Sequence, residues 1–331
     1  MYYTQLTEDQ HKQLINASQA YAAMLNFKQL AAGYRGGMVW RQKNDTDYLI
    51  KTSPRGNQRG MGARSPETER LAEAFLRNKA SAEANLKASK QRVELEVRLN
   101  RALRVGRCPN LVIDILNRLE KAGLARHLMV IGTHALYAYE SGAGVTFNSA
   151  ITETRDLDIL WDSRKHLLLA SNEDIKMLGL LGILQQVDSS FTLMKNQAYT
   201  AVNKDGYMVD VVKRRPASLF DDQEPQQLVP NQDDFFAAKI VNMDWLLSSP
   251  PYKQIVIGVS GKMAEMHAPD PRAFAMFKHW LSQQPERDST KKPRDQRQAE
   301  AVKSLVEELM PHMPFSDLSG FPVAMRHEMS Q

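Results

Sequence analysis

The chain has 331 residues, of which 43% are hydrophobic and 24% are charged, and this is the composition of a globular protein of two or three domains. The formal net charge of +5 favours anionic partners only weakly. The single cysteine, Cys108, excludes an intramolecular disulfide and indicates a cytoplasmic protein. No segment has the length and apolarity of a membrane-spanning helix, so we expect no membrane partner, and no cysteines and histidines have the spacing of a zinc site.

The first 105 residues are predicted to form a module of helices and a hairpin. A capping box predicts a helix over residues 8–32, and two short apolar runs on either side of Asn44-Asp45 predict a β-hairpin. The glycine-rich segment 55–64 is predicted to be a loop. A serine followed by a proline then predicts the start of a helix over residues 66–103. This long, polar helix is expected to be an arm or an oligomer contact, or else to be kinked or broken.

Basic residues strongly outnumber acidic residues between positions 35 and 64, and aromatic side chains lie among them. Lys and Arg contact phosphates and aromatic rings stack on bases, so this pattern is typical of a surface that holds a nucleic-acid strand. The alternative is a solvated loop over a hairpin whose aromatic side chains pack inward. On the first interpretation, three arginines of the glycine-rich segment contact the nucleic acid: Arg55, Arg59 and Arg64.

From about residue 106 helices and strands alternate. A predicted strand over residues 128–131 runs into a turn at Gly132-Thr133, and a helix is predicted to begin at His134. The backbone N–H groups in the first turn of a helix can hold a phosphate, which makes Gly132 and Thr133 candidate phosphate ligands. His134 is the one histidine beside this turn, and we expect its role to be structural.

Three aspartates lie in apolar runs whose neighbours favour strands: Asp156, Asp158 and Asp210. Alternate residues of a strand share a face, so Asp156 and Asp158 are predicted to point the same way. Two like charges that are buried side by side need a cation to neutralise them. A second strand carrying Asp210 would complete a three-carboxylate site for Mg2+ or Mn2+. The alternative is that the aspartates cap strand ends, but their apolar flanks favour the metal site.

The segments around these strands are predicted as follows. The glycine-containing segment 141–151 is predicted to be a flexible flap, and a helix is predicted near residues 173–184. A hairpin over residues 254–267 is predicted to extend the sheet. Two helices, over residues 272–283 and 294–309, are predicted to follow it.

The turn at Gly132-Thr133, the pair Asp156-Leu157-Asp158 and the later Asp210 resemble, in this order, the signature of the polymerase-β-like nucleotidyltransferase superfamily. Most of the chain resembles an uncharacterised bacterial branch of nucleotidyltransferase-fold proteins, and it resembles abortive-infection nucleotidyltransferase toxins more distantly. The closer resemblance is carried by several segments: 36–40, 48–49, 62–65, 132–140, 269–274 and 294–299.

The resemblance implies an α+β fold in which a mixed sheet is flanked by helices. On this interpretation residues 1–105 form the N-terminal helix–hairpin–helix module, residues 106–270 form the nucleotidyltransferase core, and residues 271–331 form a C-terminal helical region.

The resemblance also implies metal-dependent transfer of a nucleoside monophosphate from an NTP to a hydroxyl acceptor, with release of pyrophosphate. The resemblance does not name the acceptor, which we expect to be RNA, tRNA or protein. Asp156, Asp158 and Asp210 would bind two Mg2+ or Mn2+ ions and carry out catalysis. The nucleotide-binding residues would be Gly132, Thr133 and Lys278, and the basic module would bind the acceptor. Two alternatives remain open. One is a non-catalytic nucleotide- or RNA-binding protein that keeps the fold, and the other is a toxin that modifies tRNA.

Overall fold

The computed structural model describes residues 2–164, 173–216, 225–228 and 233–329. The chain divides into two units: Met1–Leu14 with Leu103–Gln331 form the first, and Ile15–Ala102 form the second. The second unit is therefore an insertion within the first. The two segments that the sequence treats as separate domains, 106–270 and 271–331, lie in the same unit.

The helices of the described part of the chain agree closely with the predicted ones where the sequence is strongly patterned. In chain order they are α1 (Glu8–Gly33), α2 (Pro66–Ala102), α3 (Asn110–Lys121), α4 (Leu136–Ala143), α5 (Ser149–Thr152), α6 (Glu173–Gln185), α7 (Met243–Leu246), α8 (Pro271–Gln283), α9 (Lys292–Leu309) and α10 (Val323–Met329). None of them is both long enough and apolar enough to cross a lipid bilayer.

The strands form one large sheet and three small ones within the described ranges. They are β1 (Tyr3–Gln5), β2 (Gly37–Lys43), β3 (Thr46–Thr52), β4 (Gln58–Ala63), β5 (Leu128–Ile131), β6 (Val145–Phe147), β7 (Asp156–Trp161), β8 (Thr192–Met194), β9 (Gln197–Val202), β10 (Met208–Arg214), β11 (Ala238–Ile240), β12 (Tyr252–Ile257) and β13 (Met263–Ala268).

The large sheet has the order β5-β7-β10-β9-β8, and β11 also pairs with β10. Strand β10 runs parallel to β7 and β11, whereas β5 is antiparallel to β7 and β9 is antiparallel to β10. The sheet is therefore mixed. Successive side chains of β7 point to opposite faces of the sheet. Leu157 and Ile159 are fully buried on one face, and the aspartates lie on the other. Helices α3, α8 and α9 bury apolar side chains in the same core cluster. This is the α+β fold, with a mixed sheet flanked by helices, that the sequence predicts.

The second unit contains the predicted hairpin and one strand more. Asn44 and Asp45 both have positive φ, as the two-residue turn between β2 and β3 requires. The sequence predicts a loop for the glycine-rich segment, but residues 58–63 of that segment form β4, which pairs with β3. The loop prediction is therefore wrong, because antiparallel pairing stabilises a segment whose glycines have low intrinsic strand propensity.

Two predictions for the first unit are wrong. The hairpin of β12 and β13 does not extend the large sheet; it forms a two-stranded sheet of its own that packs against α3 and α4. The segment 141–151 is not a flexible flap. Its strand β6 pairs with β1, and Val145, Phe147 and Ile151 are buried in the core. Partners from distant parts of the chain decide both outcomes, so local patterning does not reveal them.

Candidate active site

The three aspartates lie on adjoining positions of the two central strands. In the parallel pair of β7 and β10, Asp210 is the register partner of Asp158, and Met208 is the partner of Asp156. Asp156 and Asp158 are two residues apart and share a face, so all three carboxylates stand on one side of the sheet. Strand β5 ends beside the aspartates, because its last residue, Ile131, is paired with Asp158. The turn at Gly132 therefore adjoins the aspartates.

The surroundings of Asp158 disfavour its negative charge. Burial raises the pKa of Asp158 to about 7, and the carboxylates of Asp156 and Asp210 add to this rise. Burial also raises the pKa of Asp210 from its ordinary value, although the Thr200 hydroxyl opposes this by donating a hydrogen bond to Oδ1 at 2.6 Å. A cluster of carboxylates whose ionised forms repel one another is an environment that a bound cation would stabilise.

The carboxylates of Asp156, Asp158 and Asp210 are not arranged as a ready metal site. Among the residues that the structure describes, no three His, Cys, Asp or Glu side chains are arranged so that they could hold a metal ion. The donor set nonetheless fits a hard divalent cation, because it consists of carboxylate oxygens on one face and is deficient in positive charge. Joint coordination by all three aspartates requires their side chains to turn toward one another.

Position 132 requires glycine because its backbone lies directly against the Asp158 carboxylate. Its φ is +65°, and a Cβ added at this position would overlap the Oδ2 atom of Asp158. Any other residue would therefore be strained and would also displace the carboxylate. Residues 132–135 form a short 3-10 helix, so α4 begins at Leu136 and not at His134 as the sequence predicts.

Thr133 is buried, and its hydroxyl is held by a side chain of α9. The Gln298 amide donates from Nε2 to Thr133 Oγ1 at 3.1 Å and to the Ile151 carbonyl at 2.8 Å. The Thr133 hydroxyl therefore accepts one hydrogen bond and keeps its own proton for another acceptor. Binding of a phosphate by Gly132 and Thr133 stays a prediction that this arrangement permits.

His134 and Tyr207 support the backbone at the first aspartate. His134 Nδ1 lies 3.0 Å from the carbonyl oxygen of Asp156, and Nε2 lies 3.1 Å from the Tyr207 hydroxyl. A carbonyl oxygen only accepts, so Nδ1 carries the proton and Tyr207 donates to Nε2. Burial lowers the pKa of His134 to about 4, which keeps the ring neutral. The sequence places His134 beside the turn, but nothing in it indicates Tyr207.

Lys278, a predicted nucleotide ligand, is committed to an ion pair. Its Nζ lies 2.6 Å from Oδ1 of Asp295, and Arg287 binds Oδ2 of the same carboxylate at 2.7 Å. Burial lowers the pKa of Lys278, whereas Asp295 and Asp158 oppose that effect. Lys278 therefore lies near the aspartates, but its ammonium group is held by Asp295. A direct role in nucleotide binding stays a prediction.

A second lysine near the aspartates is not distinguished by the sequence. The positive charge of Lys291 opposes the rise in pKa of both Asp158 and Asp210, which places it close to the site. Its side chain is exposed, directly before α9. The charged segment before α9 is the available signal, but the sequence alone does not separate this lysine from its neighbours.

The three arginines predicted to bind an acceptor belong to the second unit and differ in their surroundings. Arg55 and Arg59 are exposed. Arg64 forms ion pairs with Asp47 at 3.2 Å and Glu69 at 2.7 Å, and its guanidinium lies 5.2 Å from the centre of the Trp40 ring. The charge of Arg64 is thus largely compensated within the unit.

A comparison with protein-family models gives one match. A model described as a nucleotidyltransferase matches residues 110–320, which is more than half of the chain. The matched span contains the three aspartates, the turn at Gly132 and the pair of Lys278 with Asp295, and it excludes the second unit. No curated protein and no solved structure gives a significant match, so the predicted resemblance to abortive-infection toxins stays a prediction.

Proposed function

The chain belongs to the nucleotidyltransferase family, and we propose that it transfers a nucleoside monophosphate from an NTP to a hydroxyl group of RNA or protein. The observation that carries this proposal is the register of β7 and β10, which brings Asp158 beside Asp210 on the face that Gly132 adjoins. Carboxylates on adjoining strands next to a close backbone turn provide a place for a triphosphate and a divalent cation.

Asp156, Asp158 and Asp210 are the residues that would hold Mg2+ or Mn2+. The raised pKa of Asp158 supports this assignment, because that carboxylate lacks sufficient positive charge around it in the protein alone. When bound, the metal would neutralise triphosphate charge and lower the pKa of the attacking hydroxyl.

The chain's own residues would orient the reactants and accept a proton. The acceptor oxygen forms a bond to the α-phosphorus, the bond from that phosphorus to the bridging oxygen breaks, and pyrophosphate leaves. Asp210, whose carboxylate is held through Oδ1 by Thr200, would accept the hydroxyl proton. His134 and Tyr207 would fix the strand that carries Asp156. Backbone N–H groups at Gly132 and Thr133, with Lys278 and Lys291 nearby, would contact the phosphates.

The test is transfer of label from each α-labelled NTP, with Mg2+ or Mn2+, in the presence of total RNA and cell extract. The wild-type protein should label RNA or protein, and Asp158→Ala should abolish labelling while it stays folded. Asp205→Ala is the matched control, because Asp205 is an exposed aspartate in the β9–β10 turn and should retain activity. Labelling by a folded Asp158→Ala variant at the wild-type rate would overturn the catalytic assignment.

The identity of the labelled product separates the remaining alternatives. Label in tRNA alone would support the tRNA-modifying interpretation, and label in protein alone would exclude RNA as the acceptor. If the wild-type protein binds NTP but labels nothing under any condition, the non-catalytic interpretation is correct and the proposal fails.

A further inference from the structure

The three-stranded sheet of the second unit has two unlike faces. Residues that are register partners in antiparallel strands point to the same side. One face carries Trp40 and its partner Leu49, which is fully buried. Lys51 is also on that face and lies over the ring of Phe75 from α2. This packed face holds the sheet against the rest of the unit.

We call the opposite side the open face. Its exposed side chains include Arg41 and Lys43, and the exposed fraction is 42% for Val39 and 38% for Tyr48. Register pairing places on it Val39, Arg41 and Lys43 of β2, the alternate residues of β3 that include Tyr48 and Ile50, and Gln58, Gly60 and Ala63 of β4.

The shape of the open face suits a planar ligand. On β4 the register partners of Ile50 and Tyr48 are Gly60 and Ala63, which have no long side chain, and the longer Gln58 lies farther along the strand, opposite Thr52. Across the sheet, Arg41 is the register partner of Tyr48 on β2. Tyr48 therefore forms an aromatic platform with Arg41 as its neighbour on β2 and the small Ala63 as its neighbour on β4. A base stacks on such a ring without being identified by sequence.

The charge of the open face favours an anionic ligand. Arg41 and Lys43 are exposed on it, and Arg41 donates to the neutral side chain of Gln58 at 2.9 Å, so its position is fixed while its charge is kept. Asp47 lies on the packed face, where Arg64 binds it. Basic charge therefore lies on the same side of the sheet as the exposed aromatic ring.

We propose that the open face binds single-stranded nucleic acid, with a base stacked on Tyr48 and neighbouring phosphates bound by Arg41 and Lys43. A duplex would not fit, because its bases are stacked on one another and cannot reach the ring. Identification of this strand as the acceptor rests on the proposed function, but the binding itself requires no turnover. The sequence predicts a nucleic-acid contact at Arg64, whereas we place the contact on the opposite side of the sheet.

The test measures binding of a short labelled RNA strand by fluorescence anisotropy, with full-length protein that carries Asp158→Ala so that nothing is turned over. Stacking contributes about 1–3 kcal/mol per base, so Tyr48→Ala should weaken binding about 5- to 150-fold. Tyr48→Phe should restore most of the affinity, because the ring is kept. Single-stranded DNA of the same sequence is a second arm that shows whether ribose hydroxyls contribute.

The charged residues are tested by salt dependence. For single strands, each phosphate contact contributes about 0.7 to the slope of log affinity against log salt. The double variant Arg41→Ala/Lys43→Ala should therefore reduce the slope by about 1.4. A matched control is Arg77→Ala/Lys87→Ala, which removes the same charge from exposed positions of α2 and should leave the affinity for RNA nearly unchanged.

The outcomes distinguish this proposal from the proposed function. Unchanged affinity in a folded Tyr48→Ala variant, or equal affinity for duplex and single strand, would overturn the open-face proposal even if the wild-type enzyme labels an acceptor. The predicted losses of affinity, together with no NTP turnover by the wild-type protein, would support nucleic-acid binding and reject the transferase function.

Discussion

The surroundings of Asp158 affect both the charge of its carboxyl group and the position of that group. Its carboxylate is flanked by two others, and its Oδ2 occupies the space that a side chain at position 132 would need. The charged form of Asp158 is therefore destabilised while its position is fixed. Both properties suit a ligand for a cation, and each can be tested by a substitution that leaves the other largely intact.

The first prediction concerns the pH dependence of stability without metal. The pKa of Asp158 is about 7 in the folded protein and 3.8 ordinarily, so the folded state binds more protons between these values and stability falls as pH rises through this window. Asp158→Asn should therefore be more stable than wild type by about 1–2 kcal/mol at pH 8 in EDTA, and by much less near pH 4.

Urea unfolding of the two proteins across this pH range is the measurement. Glu140, whose pKa burial also raises to about 7, titrates in both proteins, so the difference between them isolates Asp158. Added Mg2+ should stabilise wild type more than the variant and narrow the gap. A gap that stays constant from pH 4 to pH 8 would contradict the assignment.

The second prediction separates backbone strain from the contact with Asp158. Gly132 and Gly206 both have positive φ, but an added Cβ at Gly206 meets nothing within 4 Å. Gly206→Ala should cost about 1 kcal/mol of stability and keep activity. Gly132→Ala should cost about 2–4 kcal/mol and abolish nucleotide transfer, because it also displaces a carboxylate. Equal effects of both variants on stability and labelling would show that the contact is unimportant.

For individual residues, the sequence predicts that two aspartates share a strand face, but it does not predict which carboxylates pair with the basic residues. Apolar flanks and two-residue spacing are sufficient to place Asp156 and Asp158 on one face of a strand. Lys278, by contrast, is held by Asp295 on the next helix, and Arg64 by Asp47 and Glu69. Which carboxylate meets a long basic side chain depends on how helices and strands pack, and no local pattern encodes this.

Among the elements, α8 and α9 are joined by a buried ionic cluster beside the site. Asp295 is fully buried and is paired with both Lys278 and Arg287. Burial alone would raise the pKa of Asp295, but its two basic neighbours outweigh burial and lower it. The charges of the cluster therefore depend on one another.

The third prediction is that Asp295→Asn strongly destabilises the protein. Removing the negative charge leaves the Lys278 ammonium buried without a counterion, and the expected cost is about 2–4 kcal/mol. The control is Glu307→Gln in the pair of Lys303 with Glu307 on α9, in which the Glu307 side chain is exposed, and this change should alter stability by less than about 0.5 kcal/mol. Urea unfolding of both variants provides the comparison, and similar losses would refute the special role of the buried cluster.

The bounds of the helices and strands show which elements local sequence patterns are sufficient to predict. Strand β5 and helices α1 and α2 lie within one or two residues of their predicted positions, because periodicity and caps are local signals. The sequence predicts a loop where β4 forms, and a sheet extension where β12 and β13 form their own sheet. The pairing of β1 with β6 joins the start of the chain to the segment after α4. Such long-range pairings are specified by tertiary packing.

At the scale of the whole molecule, the two proposed activities lie in different units. The aspartates belong to the first unit and fall within the family match, whereas Tyr48 belongs to the second unit and lies outside it. The second unit begins within α1 and ends with α2, so it is covalently joined to the first unit at both ends. On the proposal that the second unit binds a strand, this covalent connection would raise the effective concentration of that strand for the first unit.

The fourth prediction is that the two units control different kinetic constants. Tyr48→Ala should raise KM for a nucleic-acid acceptor by about 5- to 150-fold, with kcat and KM for NTP nearly unchanged, because it removes binding that is equal in the ground and transition states. Asp210→Asn should lower kcat by about 100-fold or more, with little change in acceptor affinity, because it removes the group that accepts the proton. Initial rates over both substrate concentrations measure these constants. If Tyr48→Ala lowers kcat as strongly as Asp210→Asn does, the second unit takes part in the chemical step and the division of roles is wrong.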